Sequence, residues 1–147
     1  MIDVIKKIRA ETGLSVSDIK KALDEAGGSE EKAFELLRER GHRIAEKKSS
    51  RQADQGIVES YIHSNGKMGV ILVLNCETDF VAKSPEFKAL AHDLAMQIAS
   101  MDPKDAQELM GQPFIKDQAR TVKELITGHI AKLGENIKVG EFVRLEI

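Results

Sequence analysis

Residues 73–83 read Val-Leu-Asn-Cys-Glu-Thr-Asp-Phe-Val-Ala-Lys and organise the second half of the chain. The apolar start predicts the end of a β-strand, and Ser84-Pro85-Glu86 predicts a helix start, because proline fits the first helical turn. Between them, Asp79 and Phe80 set a carboxylate beside a phenyl ring. Such a turn can wedge into a partner, since loops held by a rigid scaffold often carry function. The alternative is that Phe80 packs under its own helix and Asp79 caps nearby amides, because phenylalanine is usually buried.

The composition describes one large domain, or one domain with a small appendage, of 147 residues with 41% apolar residues and a net charge of −2. That charge argues against a general nucleic-acid binder, which carries a basic excess. No apolar run approaches the ~20 residues that span a bilayer, and the start at Met1 shows no signal-peptide core. The only cysteine, Cys76, excludes an intramolecular disulfide. We therefore expect a cytoplasmic protein that contacts neither membrane nor nucleic acid directly.

Helix signals in residues 1–41 predict a three-helix bundle. Ser15 is followed by Asp18, where a capping box carries its acid. Ser29 begins a third helix with glutamates in its first turn, which the helix dipole favours. Gly41 is expected just past the end of that helix, as a C-cap. A unit this small is marginal alone, so we expect it to present a surface to something else.

Residues 42–55 are expected to form a basic helical linker. From Arg38 to Arg51, six arginines and lysines stand against two glutamates. This charge suits an acidic partner or RNA, but the favoured interpretation is a solvated helical linker. The polar stretch 49–56 has no apolar period and predicts a domain boundary.

Residues 56–147 predict an α+β domain with an antiparallel sheet and flanking helices. Asn65-Gly66 is a strong hairpin signal, because both positions accept positive φ. The strand that follows, 68–76, is almost continuously apolar, so both of its faces are expected to be covered. The remaining predicted elements are a helix after Pro85, a short turn through Leu109-Met110, an edge strand at Phe114-Ile115, a helix from Thr121 with a Glu124 capping box to Gly134, and a strand through Ile137–Leu145.

Few residues suggest chemistry. The chain has no glycine-rich phosphate loop and no Gly-x-Ser-x-Gly motif. Glu77 and Asp79 could form an acid pair, but no nucleophile or base accompanies them locally. The histidines are scattered without metal-ligand spacing, at positions His42, His63, His92 and His129. We therefore expect no enzyme activity, no cofactor and no metal site.

Three blocks stand in order along nearly the whole chain. They are Ile8-Arg9-Ala10-Glu11-Thr12-Gly13 with Val16-Ser17-Asp18-Ile19-Lys20-Lys21-Ala22-Leu23, then Leu74-Asn75-Cys76-Glu77-Thr78-Asp79-Phe80-Val81-Ala82-Lys83, then Ala131-Lys132-Leu133-Gly134-Glu135-Asn136-Ile137. Together they resemble the bacterial translation elongation factor Ts family, and the second block is highly specific.

The resemblance implies an N-terminal three-helix domain of the ubiquitin-associated type, a basic linker, and an α+β core. It implies guanine-nucleotide exchange on elongation factor Tu, the GTPase that delivers aminoacyl-tRNA. Asp79 and Phe80, in one turn with Thr78 and Val81, would insert into the GTPase domain and disturb phosphate and Mg²⁺ binding there. The chain itself would need neither metal nor nucleotide. The other partner-binding residues implied are Val16, Lys20, Lys48, Leu133 and Gly134.

The chain departs from the family pattern in several places. Val73 stands where the family usually has glutamate, and Leu14-Ser15-Val16-Ser17 replaces the commoner Ala-Gly-Met-Met. The link from Met101 to Pro113 is short where family members carry a helical insertion. Short members are expected to pair as homodimers through the core domain, and Val143 leaves no cysteine for an intersubunit disulfide.

Two other functions remain open from the sequence. The first is a ubiquitin-associated-type binding module that acts at the ribosome or on nascent chains without exchange activity, which leaves residues 73–83 unexplained. The second is a small acid–base enzyme, which requires Glu77, Asp79 and His92 to converge on one pocket.

Overall fold

Seven helices and five strands make up the chain, and the computed structural model describes residues 1–147. Two compact units are present, residues 1–50 with 127–134 and residues 51–126 with 135–147. The elements are α1 (Ile2–Thr12), α2 (Val16–Glu25), α3 (Glu30–Lys48), β1 (Gln55–Ile62), β2 (Met68–Cys76), α4 (Asp79–Ala82), α5 (Pro85–Met101), α6 (Ala106–Gly111), β3 (Pro113–Phe114), β4 (Asp117–Thr121), α7 (Val122–Leu133) and β5 (Lys138–Glu146).

The first unit begins with the predicted three helices. The hydroxyl of Ser15 accepts the backbone N–H of Asp18 at 3.1 Å, and the hydroxyl of Ser29 caps α3 in the same way. These caps satisfy N–H groups that a helix leaves without an internal partner. The core of the bundle consists of Ile8, Ile19, Ala22, Leu23, Ala33 and Leu37.

Gly41 does not end the third helix, so the prediction of a C-cap there is wrong. Helix α3 continues to Lys48, and Gly41 is buried within it. A C-cap glycine needs a left-handed backbone, and Gly41 is not among the residues with positive φ. A Cβ added at Gly41 would lie 3.7 Å from the Cβ of Ala131, which is ordinary contact. The helix therefore runs into the stretch predicted as a linker.

The second unit is built on an antiparallel sheet in the order β1-β2-β5. The predicted hairpin is confirmed, since β1 pairs with β2 along its whole length and Gly66 adopts φ 70° in the turn. Helices α4 and α5 pack against this sheet. The strand residues beneath them are fully buried and alternate along β2 as Val70, Leu72, Leu74 and Cys76. The α+β architecture with flanking helices is confirmed.

The opposite face of the sheet is apolar and exposed, which corrects the expectation that both faces of β2 are covered. Ile71 in the central strand is 55% exposed. Its direct neighbours across the sheet are Ser60 on β1 and Val143 on β5. Side chains on one strand alternate between faces, so the same surface also carries other exposed side chains. We call it the apolar sheet face, and its members are Val58, Ile62, Ile71, Val143 and Leu145.

A short hairpin, β3-β4, follows α6 and is fastened to α5 by Gln97. The side-chain amide of Gln97 donates to the carbonyl of Pro113 at 3.0 Å and accepts the N–H of Ile115 at 2.8 Å. The sequence predicted an edge strand near residues 114–115, but it did not predict β4, because residues 117–121 are polar and show no alternation.

Helix α7 begins at the predicted capping box. The Thr121 hydroxyl accepts the N–H of Glu124 at 3.2 Å, and the Glu124 carboxylate accepts the N–H of Thr121 in return. Gly134 closes the helix with φ 77°. None of the seven helices combines the length and apolar composition needed to cross a membrane.

Candidate partner-binding site

Phe80 projects from the turn between β2 and α5. Its side chain is 86% exposed, whereas the next two residues, Val81 and Ala82, are buried. All three lie in α4, and successive helical residues point about 100° apart because the helix has 3.6 residues per turn. Burying Val81 and Ala82 therefore turns Phe80 outward. The alternative that Phe80 packs under its own helix is wrong, and we call residues 77–83 the tip.

Thr78 caps the tip, a role that one alternative gave to Asp79. The Thr78 hydroxyl accepts the N–H of Val81 at 3.2 Å. The Asp79 carboxylate instead lies 2.8 Å from the ammonium of Lys83, one helical turn later. This contact raises the pKa of Lys83 through the hydrogen bond and the charge of Asp79. Both groups are largely exposed, so the pair adds little to stability and leaves the carboxylate accessible.

A single carboxylate, that of Glu135, holds the N-terminal side of the tip. Its Oε1 accepts the backbone N–H groups of Glu77 at 3.1 Å and Thr78 at 2.9 Å. Its Oε2 accepts the Thr78 hydroxyl proton at 2.6 Å. The Thr78 hydroxyl thus donates to Glu135 while it accepts from Val81, which fixes its orientation.

Glu77 makes the reciprocal contact to the segment that carries Glu135. Its Oε2 accepts the backbone N–H of Asn136 at 2.6 Å, and its Oε1 lies 3.6 Å from the guanidinium of Arg51. The buried side chain of Asn136 donates to the Arg51 carbonyl at 2.8 Å. We call Arg51, Glu77, Glu135 and Asn136 the clamp.

Sequence reasoning did not predict the clamp. Glu135 and Asn136 belong to the third family-like block, but only Leu133 and Gly134 in that block were considered as contacts. The bond between Glu135 and Thr78 spans 57 residues, and no local pattern indicates such a pairing. The one signal in the sequence that could have indicated the clamp is Glu135, a glutamate directly after the helix-closing Gly134 and shortly before the last strand.

Cys76 supports the tip from below as the last residue of β2. Its thiol is fully buried and donates to the carbonyl of Thr78 at 3.2 Å. Burial, aided by the charge of Glu135, raises the pKa of Cys76. The thiol is therefore protonated at neutral pH and packs as a small apolar group, as the sequence predicted.

The groups of the acid–base alternative have separate partners. Glu77 is bound to Asn136 and Arg51, and Asp79 is bound to Lys83. The exposed ring of His92 stands edge-on to Tyr61, with 6.2 Å between the ring centroids. No group of three or more histidine, cysteine, aspartate or glutamate side chains could hold a metal ion. These contacts give the enzyme alternative no support.

The other five candidate contact residues fall in the first unit. Val16 and Lys20 are exposed and stand one turn apart on α2, which places them on one helix face. The Lys48 ammonium donates to the carbonyl of Gly134 at 2.7 Å, so it braces the end of α7. Leu133 beside it is half-buried, and Gly134 is exposed.

The α+β unit carries an exposed aromatic ring on a turn, a feature typical of proteins that bind other macromolecules. A family profile described as "Elongation factor TS" matches residues 77–147. Elongation factor Ts of Thermotoga petrophila is 42% identical, over 99% of this chain and 95% of the relative. Elongation factor Ts of Carboxydothermus hydrogenoformans is 39% identical, over 98% of this chain and 87% of the relative. The chain belongs to the elongation factor Ts family, a family of bacterial translation elongation factors.

This chain is shorter than its relatives in the aligned region. Both alignments run over 189 positions, more than the 147 residues available here, so the relatives carry residues with no counterpart in this chain. The sequence predicts the missing segment between Met101 and Pro113, where α6 alone connects α5 to β3.

Proposed function

We propose that this protein promotes guanine-nucleotide exchange on elongation factor Tu during translation elongation, and that it is not itself an enzyme. The observation that carries this proposal is the exposure of Phe80 on a turn held by the clamp. Exposing a phenyl ring to water is unfavourable in free energy, and burial of the ring against a partner removes this cost. Action on this GTPase implies a cytoplasmic location.

In the proposed mechanism, Phe80 enters the GTPase domain between two of its helices and displaces packed side chains there. Protein interiors are close-packed, so an inserted ring forces neighbouring groups to move. Asp79 beside it keeps the inserted turn polar. The movement disturbs the phosphate-binding loop and the Mg²⁺ site of the partner, and GDP leaves.

The thermodynamic basis of the proposal is linkage. A factor that binds nucleotide-free elongation factor Tu more tightly than the GDP-bound form must weaken GDP binding by the same factor. Thr78 and Val81 hold the inserted turn. Val16 and Lys20 on α2 supply a second contact to the GTPase domain, and the turn at Leu133 and Gly134, braced by Lys48, supplies a third.

We further propose that the apolar sheet face joins two copies of this chain into a homodimer. Contiguous exposed apolar patches on monomers are usually small, and larger ones mark interaction sites. Ile71 and Val143 lie side by side at the centre of this face. A second copy would cover both.

Ile71→Lys tests the dimer. The wild-type protein should sediment as a dimer at micromolar concentration, and Ile71→Lys as a monomer, because a dimer would bury the new charge. Ile2→Lys changes another exposed isoleucine, in the first unit, and should leave the dimer intact. A wild-type monomer at all accessible concentrations would refute this proposal.

The exchange activity is tested by stopped-flow fluorescence. Elongation factor Tu loaded with a fluorescent GDP analogue is mixed with excess unlabelled GDP, with and without this protein. The proposal predicts faster release with the protein, rising to a plateau at saturation. Tight binding without acceleration would favour the binding-module alternative, and no binding would refute the proposed partner.

A further inference from the structure

We propose that Glu135 is a positioning residue for exchange, in that its carboxylate sets the direction in which Phe80 projects. The inference rests on the exchange activity proposed above. Glu135 need not touch the partner for this role, because it acts through the backbone and hydroxyl of the tip.

The backbone leaving β2 depends on Glu135 for its hydrogen bonds. Pairing between β1 and β2 ends at Gln55 and Cys76. The next two N–H groups, those of Glu77 and Thr78, therefore have no strand partner, and both donate to Glu135 Oε1. Bonds to an ionised acceptor are stronger than neutral ones, so one carboxylate directs two consecutive peptide planes.

The same carboxylate controls the start of α4 through Thr78. A hydroxyl has one proton, and Thr78 gives it to Glu135 Oε2 at 2.6 Å. This leaves a lone pair facing the N–H of Val81, which it accepts at 3.2 Å. The chain of bonds runs from Glu135 through Thr78 to Val81, and Phe80 lies between the last two.

Helix α4 is too short to set its own orientation. It has four residues, and its helical backbone bonds are those from the N–H groups of Ala82 and Lys83 to the carbonyls of Thr78 and Asp79. So few bonds do not offset the entropy cost of forming an isolated helical turn. Asp79, Phe80 and Lys83 are exposed, so the buried side chains of α4 are those of Val81 and Ala82. Without Glu135, the tip would keep its anchors at Val81 and Ala82 and the bonds made by Glu77 and Cys76. The N–H groups of Glu77 and Thr78 and the Thr78 hydroxyl would lose their shared acceptor.

The first test measures the mobility of the tip without any partner. The chain contains no tryptophan, so Phe80→Trp gives a single reporter for time-resolved fluorescence anisotropy. Adding Glu135→Ala should increase the amplitude of the fast anisotropy decay, which reports motion of the tryptophan side chain. Adding Glu135→Gln, which keeps one oxygen for the two N–H groups, should have a smaller effect. Glu108→Gln is the charge-matched control, since Glu108 is exposed and its carboxylate has no partner.

The second test measures GDP release in the wild-type Phe80 background. Glu135→Ala should lower the plateau rate by about tenfold, because misplacement of a group by an ångström is enough for such a loss. The concentration for half-saturation should stay within about twofold. Glu135→Gln should restore part of the plateau rate, and Glu108→Gln should match the wild type. Circular dichroism melts identify variants that fail to fold. If Glu135→Ala does not fold, the comparison of Glu135→Gln with the wild type tests the positioning role in its place.

The outcomes separate this inference from the proposed function. A looser tip together with a lower plateau rate supports the positioning role. Unchanged anisotropy, an unchanged plateau rate, or a loss confined to half-saturation overturns it, while exchange by the wild type still stands. A wild-type protein that does not accelerate release overturns the proposed function, and the positioning role falls with it.

Discussion

Replacing Phe80 by alanine should weaken the complex with nucleotide-free elongation factor Tu while leaving the free protein intact. Fully burying a phenylalanine side chain is worth about 1.5–3 kcal/mol. Because 86% of this side chain is exposed, nearly all of that energy is available to the partner. The expected loss is roughly 1.3–2.6 kcal/mol, which is about tenfold to eightyfold in the dissociation constant.

Isothermal titration calorimetry and urea unfolding measure the two sides of this prediction. The free energy of unfolding should change by less than about 0.5 kcal/mol, as for other exposed positions. Met101→Ala removes another exposed apolar side chain of the same unit, and it should leave the affinity unchanged. The reasoning would be refuted if Phe80→Ala bound like the wild type, or if it lost affinity only in proportion to lost stability.

Three further predictions concern the scaffold. Gly41→Ala should raise the free energy of unfolding in urea by about 0.5–1 kcal/mol, because Gly41 is inside a helix with room for a Cβ; a decrease would contradict the observed backbone. Gln97→Leu should lower the free energy of unfolding by roughly 1–3 kcal/mol, because it leaves the N–H of Ile115 without a partner, whereas Gln107→Leu, at an exposed position, should change it little. The Cys76 thiol should react with a disulfide reagent at pH 8 at least about tenfold more slowly in the folded than in the unfolded chain, and equal rates would contradict its burial.

The raised pKa of Cys76 also gives a direction for the effect of pH. Above the ordinary thiol pKa of 9.0 the unfolded chain loses this proton before the folded chain does. The stability contributed by the neutral thiol is therefore fully present below pH 9.0 and is lost as the pH rises toward the folded-state pKa. Cys76→Ala should show a weaker decline in stability between pH 9 and 10 than the wild type, as measured by urea unfolding.

Elements set by local chemistry could be read directly from the sequence. The caps at Ser15 and Thr121 and the hairpin at Gly66 depend on residues within four positions of each other. The burial of Cys76 also followed from the apolar strand that leads to it. Interactions between residues close together in the sequence decide these features, so the sequence alone predicts them.

Features set by tertiary contact could not be read in the same way. Gly41 has the residue type of a C-cap, but packing and the helix-forming residues after it extend α3 to Lys48. The apolar residues of β2 predicted a strand covered on both faces, yet the fold of a single chain covers only one. Sequence hydrophobicity does not state whether a face is covered by the same chain or by another.

The candidate site was predicted in part. Residues 73–83 identified the tip, but the sequence left the direction of Phe80 open until the burial of Val81 and Ala82 decided it. The clamp depends on pairing between segments almost 60 residues apart, as in the bond from Glu135 to Thr78. Periodicity and capping rules act over a few residues and do not reach that far.

The affinity of this protein for elongation factor Tu, with and without saturating GDP and Mg²⁺, tests the exchange proposal most directly. An exchange factor must bind the nucleotide-free form more tightly, because the coupling between two ligands is reciprocal. The account predicts a dissociation constant at least about a hundredfold higher with GDP and Mg²⁺ present, at the upper end of common coupling energies. Equal affinities for the two forms would contradict it, because the protein would then leave the affinity of elongation factor Tu for GDP unchanged.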